Sequence, residues 1–384
     1  PGLEQKNYAE QKAALEFDCF GWADYWATAL RPLGYEAEEL IADVPQLQAA
    51  WRLERGLPPE ADPLDTLLSQ LKEFRPEVLF VDDYARFTPN WLGRVREECP
   101  SLRLILGWCG APFEDAGVFK AYDLVLSCIP ELVEEFRRLG HESVQMHHAF
   151  DSRVLDRLAS LPVSPLDFSF IGQVVRGGQF HGQREILLRA LVSRLPLTIC
   201  SPASEVDWSD DLRFAAKAGV FQTVRALRAA GIPEGTLARI PVVRKAARWK
   251  RAPVSQRLRG FGKRLRPGVF GLEMFRTLRD SNVTLNTHID ASRSSASNMR
   301  LFEATGAGAC LLTDWKENIR DLFEPDSEVV TYRSVDECVE KARWLLDHPA
   351  ERKAIAQAGQ ARTLRDHGFR NRAQVLDKLI KERI

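Results

Sequence analysis

Residues 294–314 read SSASNMRLFEATGAGACLLTD, and the fold turns on how this stretch is read. Serines lead into a short helix carrying Arg300 and Glu303, Gly306 and Gly308 turn the chain, and an apolar strand follows. A serine-rich loop entering a helix N-terminus offers backbone N–H groups and the positive end of the helix dipole, which suits an anion such as a diphosphate. Arg300 and Glu303 are three apart and share a helix face. The guanidinium matches a phosphate, and the carboxylate matches the vicinal hydroxyls of a ribose. The plainer alternative is an Arg–Glu pair on a solvated helix closed by a glycine cap.

Outward from this stretch the pattern is strand and helix in turn. Residues 281–288 alternate as a strand that ends in polar residues at His288. Residues 309–313 and 328–332 are further strands, and residues 335–347 and 350–363 are helices. In the first half, residues 77–81, 102–106 and 124–127 are short apolar strands, residues 63–74 form an amphipathic helix, and residues 131–139 form another. Residues 14–19 are expected to be a strand and residues 25–32 a helix. A linker with Pro162 and Pro165 leads to the strand 168–171, a turn at Gly172, then Arg176 and a helix starting around His181 to Arg184. Strands alternating with helices imply α/β architecture, with parallel sheets covered on both faces and a ligand crevice beyond the strands' carboxyl ends.

Composition agrees with a two-domain globular protein: 384 residues, 45% hydrophobic, 28% charged and formally neutral. No apolar run is long enough for a spanning helix, and no signal peptide is expected at the start. The seven cysteines form no C-x-x-C pair. Cys19, Cys109, Cys128, Cys200 and Cys310 read as small buried hydrophobes in a reducing compartment. No D-x-D motif stands at a strand end, so no metal site is expected. Residues 213–266 break the pattern, with fifteen Lys and Arg against one acid, Glu234. Cations interleaved with Trp249, Leu258, Phe261 and Leu265 suit an anionic membrane surface or an acidic polymer. The alternative is a solvated helical insertion, and nucleic acid is not expected.

The runs 285–288, 298–304, 306–308, 324–332 and 348–352, in this order, resemble the nucleotide-binding half of GT-B glycosyltransferases. They are most similar to the group-1 branch (glycosyltransferase family 4 and its relatives), and within it to the spore-maturation-type subgroup. The likeness is strong over residues 168–178 and 269–367 and weaker over 17–151. It implies two Rossmann-like domains facing across a cleft: an acceptor domain at 1–152 and a nucleotide-sugar domain at 166–365. A basic helical insertion would lie at about 205–267, and a C-terminal helix within 366–384 would pack back on the first domain. The resemblance makes Gly172, Arg176, His181, Arg184, His288, Ser295, Asn298, Arg300 and Glu303 the donor-binding set. Glu303 matches the second of two family glutamates separated by seven residues, which implies ribose contact. The first position is Ser295, and the lysine expected near Arg176 is missing.

The implied activity is transfer of a sugar from a nucleotide diphosphate, UDP- or GDP-linked. The acceptor would be a glycan, a lipid-linked molecule or a protein, in bacterial surface glycan synthesis at the cytoplasmic face of the membrane. Retention without metal or other cofactor is expected, because the leaving phosphate can take the acceptor proton. An inverting reaction would need a base from the first domain, with Asp24, Asp83 and His148 as the candidates. Two alternatives stand beside it: a non-catalytic GT-B-like protein that docks through its basic insertion, and a sugar-nucleotide epimerase.

Overall fold

Two parallel sheets carry the chain. The computed structural model describes all residues except 1, 177–181, 238–239, 241–245, 247–248, 250–251, 256–257, 290–291 and 293. The first sheet has the order β1 (Val78–Val81), β2 (Leu104–Trp108), β3 (Leu124–Ser127) and β4 (Ser143–Gln145). The second contains β5 (Leu166–Ile171), β6 (Leu197–Cys200), β7 (Leu265–Arg266), β8 (Ser281–Asn286), β9 (Cys310–Asp314) and β10 (Val330–Tyr332), in the order β10-β9-β8-β5-β6-β7. Every pairing is parallel. The strands β2 and β3 are buried along their whole length, as sheets covered by helices on both faces require.

Local signals set most element ends. Asp62 caps the helix Pro63–Phe74 by accepting from the Leu64 N–H, and Arg75 closes it in the left-handed conformation. Ser334 caps Val335–Asp347. The expected strand at 14–19 is instead the end of a helix, Tyr8–Phe17. A reciprocal capping box decides this: Asn7 accepts from the Glu10 N–H at 2.8 Å, and Glu10 accepts from the Asn7 N–H at 3.2 Å. The apolar residues at 14–17 therefore ride on a helix.

The two sheets are joined by packing as well as by the linker. The C-terminal helix Phe369–Lys381 lies on the first half of the chain: Phe369 meets the Tyr25 and Trp26 rings at 5.0 and 5.3 Å, and Tyr35 donates to Asp377 at 2.8 Å. The helix Arg300–Ala307 is the other joint. Its Phe302 is fully buried between the rings of His147, Phe323 and His367. A Cβ on Gly306 would stand 2.3 Å from the Phe150 ring, so only glycine lets the helix lie this close.

In the basic segment, a 22-residue helix, Trp208–Ala229, starts at an Asp207/Asp210 capping box. Its Asp211 pairs with Arg259 at 3.1 Å. The cations at 244–257 all lie outside the described residues. All seven cysteines are buried and free. Among the described residues, no helix is long and apolar enough to cross a membrane.

Candidate active site

The carboxyl end of β8 organises the second sheet's edge. Asn286 donates to Thr313 Oγ1 at 2.9 Å and exchanges side-chain hydrogen bonds with Asn298 at 2.8 and 3.3 Å. Two residues on, His288 Nδ1 lies 2.7 Å from Asp314 Oδ1, and the His288 N–H donates to the same oxygen at 3.1 Å. Burial opposes charge on Asp314, but His288 and Lys316 beside it hold its carboxyl below the usual carboxylate range. An ionised carboxylate only accepts, so Nδ1 carries the proton. His288 Nε2 is enclosed with no hydrogen-bond partner among the described residues.

The serine loop is pinned rather than open. Ala296 N–H donates to Asn318 Oδ1 at 2.6 Å, and Asn318 returns a bond to the Ala296 carbonyl at 3.2 Å. Glu317 N–H takes the Ser294 carbonyl at 2.8 Å, and Lys316 takes the Ser292 carbonyl at 2.6 Å. The expectation of free loop N–H groups is corrected at two positions: Ala296 donates to Asn318, and Ser294 donates to Glu131 of the first sheet's edge at 3.3 Å.

Arg300 and Glu303 do pair with each other, at 2.8 Å, but not on a solvated face. Their side chains are only 16% and 9% exposed. Arg300 also contacts Met274 Sδ at 3.0 Å, while its Nε is enclosed without a partner among the described residues. A buried ion pair adds little to stability compared with apolar side chains of the same volume. Ser295, buried just ahead of this helix, interacts with Glu131 through its hydroxyl.

The turn after β5 places the other donor-site candidates. Gly172 N–H bonds the Cys200 carbonyl at 3.1 Å, which ties the turn to the end of β6. Arg176 meets Glu185 at 3.2 Å. Arg184 donates to the carbonyls of Gln173 and Thr287 at 2.8 and 2.9 Å, joining the ends of β5 and β8. His181 lies outside the described residues. Close by, a cavity of about 610 Å³ is lined by Gln183, Thr287, Asp314, Trp315, Tyr332 and Arg333, among others. Arg333 stacks over the Trp315 ring at 3.9 Å. Neither residue stands out in the sequence; only the position of Trp315 directly after β9 signals it.

The first-domain candidates each have their own partners. Asp24 is not at a strand end, because the expected strand before it is helix. Its carboxylate takes both terminal nitrogens of Arg153 at 2.8 and 3.0 Å and the Thr28 hydroxyl at 3.0 Å. Burial works against its charge, yet Arg153 holds its carboxyl below the usual range. Asp83 follows β1, half-exposed, and accepts from the N–H groups of Ala85 and Arg86. His148 sits against Trp108 at 4.9 Å and Trp22 at 6.5 Å. Burial, with His147 and Arg372 nearby, pushes its imidazole down to about 3.

A family model described as glycosyl transferase-like matches residues 184–378, just over half of the chain. No curated protein matches it in sequence. Among solved structures it is similar to Anabaena HepE in complex with UDP and glucose, at 11% identity over 84% of this chain and 82% of that one, with a TM-score of 0.51. It is also similar to a glycosyltransferase from Rickettsia africae ESF-5, at 9% identity over 83% and 80%, with a TM-score of 0.50. The shared fold is GT-B.

Proposed function

The chain belongs to the glycosyl transferase-like family, and from that premise we propose that it moves a sugar from a nucleotide-diphosphate donor to a glycan, lipid-linked or protein acceptor of a bacterial surface. The observation that carries this reading is the enclosed Arg300–Glu303 pair at the carboxyl edge of the second sheet. A costly buried pair whose Arg300 Nε has no partner among the described residues suits ligand binding better than stability. Glu303 would take the ribose hydroxyls, and Arg300 would stabilise the departing diphosphate. His288, oriented by Asp314, accepts at Nε2 when neutral and donates there to a phosphate once protonated.

The reading includes retention of configuration without a metal. The bond from the anomeric carbon to the phosphate oxygen breaks, the acceptor oxygen bonds that carbon, and its proton passes to the leaving phosphate. The first-domain candidates support this route, since none is poised as a base. Asp24 is held by Arg153, Asp83 is engaged in its own turn, and His148 is far too weak a base near neutral pH. HepE was crystallised with UDP and glucose, which makes UDP the first nucleotide to try. We also place the 213–266 segment against an anionic membrane, since Trp208 and Leu212 are exposed beside Arg213 and Lys217.

A thermal-shift series with UDP, GDP, ADP, TDP and CMP on wild type and Glu303→Ala tests the reading. A ligand at a hundred times its Kd stabilises by about 2.7 kcal/mol. Stabilisation by one nucleotide diphosphate, lost in the variant, is the expected result. No stabilisation by any of them at millimolar concentration would turn the reading to a non-catalytic binding protein.

A further inference from the structure

Glu131 is the second residue of the helix Pro130–Arg138, which starts just past the carboxyl end of β3. Its Oε1 accepts from the Ser294 hydroxyl at 2.8 Å and the Ser294 N–H at 3.3 Å, across 163 positions of sequence. One carboxylate thus spans the carboxyl edges of both sheets, where ligands of parallel sheets bind. The loop it touches is held from behind by Asn318 and Lys316, so the contact point is rigid.

The second oxygen, Oε2, is enclosed and makes no hydrogen bond among the described residues. Burial works against charge on the carboxyl, but its own backbone N–H and the Ser294 and Ser295 groups hold it below the usual carboxylate range. An ionised oxygen shut away from water costs stability until a donor reaches it. A diphosphate is excluded by like charge. A neutral group rich in hydroxyls supplies the missing donors.

We propose that Glu131 is a specificity-determining residue supplied by the first domain, whose carboxylate accepts hydroxyl hydrogen bonds from the sugar of the nucleotide-sugar donor and closes the crevice against the Ser294–Ser295 loop. This rests on the nucleotide-sugar reading above.

Calorimetric titration of wild type, Glu131→Gln and Glu131→Ala with UDP, UDP-glucose, GDP and GDP-mannose tests it. Hydrogen bonds to a charged group give a loss of about ten-fold or more. The expected result is that loss for the nucleotide sugar that wild type binds, with the matching nucleotide diphosphate bound as before. The near-isosteric Gln variant decides the matter if Ala fails to fold, with the melting temperature as the check. A purely structural latch would be broken equally by Ser294→Ala and would weaken nucleotide and nucleotide sugar alike; that result overturns the proposal, as does an unchanged Glu131→Gln. A wild type that binds a nucleotide but no nucleotide sugar also overturns it and leaves Glu303's role standing. A wild type that binds neither removes both.

Discussion

At the carboxyl edge of the first sheet stand rings. Trp22 lies against Trp26, Phe80 and Trp108 with centroids 5.1 to 5.9 Å apart, and His148 closes the group. At the corresponding edge of the second sheet stand Asn286, His288, Asp314, Arg300 and Glu303, joined by hydrogen bonds and ion pairs. The same α/β plan therefore presents two unlike walls to one crevice. The ring wall suits the apolar faces of an acceptor sugar or lipid, while the polar wall suits a charged nucleotide. Between them, the packing of Phe302 and Gly306 holds the walls in register.

Truncating that joint should break the comparison most severely. Phe302→Ala empties a site enclosed by elements of both halves and should cost about 3–5 kcal/mol in urea unfolding. Acidification comes next. His147 and His367 are pushed down to about 4 and His148 to about 3, with burial the leading cause for each. The unfolded chain binds their protons first once the pH drops below about 6.5. Stability present at pH 7 is therefore lost towards pH 4, on the order of 5 kcal/mol for the three together by pH 5. Melting curves at stepped pH would show it, and a flat profile would contradict the burial of these rings.

Gly306→Ala pushes a methyl group into the Phe150 ring and should cost about 1–3 kcal/mol, again read from urea unfolding. Its nucleotide affinity sharpens the comparison: a fall in binding along with stability would mean that the polar wall depends on its seat against the first sheet. Asp83→Asn should move stability by about 0.5 kcal/mol or less, because the side chain is half-exposed. Its rate of sugar transfer should equal wild type if the reaction retains configuration, and should collapse if Asp83 is an acceptor base.

Much of the chain is legible residue by residue. The helices 63–74 and 335–347 fall where periodicity and caps place them. The strand ending at Asp314 and the glycine turn before it follow from residues 306–313 alone. The helix Tyr8–Phe17 is missed because its apolar residues mimic a buried strand, while the deciding Asn7–Glu10 box lies upstream. Arg153 gives no sign in the sequence that it holds Asp24, 129 positions away. Glu131 looks like one more acid in the first turn of a helix, where the dipole alone would explain it.

The sequence by itself determined the alternation of strands and helices, most of their ends, and the helix face shared by Arg300 and Glu303, since caps, periodicity and three-residue helix spacing act within a few residues. Only the tertiary structure decided that this pair is enclosed, that His288 leans on Asp314, and that Glu131 meets Ser294. Burial and contact between distant segments depend on how the two sheets are set against each other, and no local run of residues encodes that.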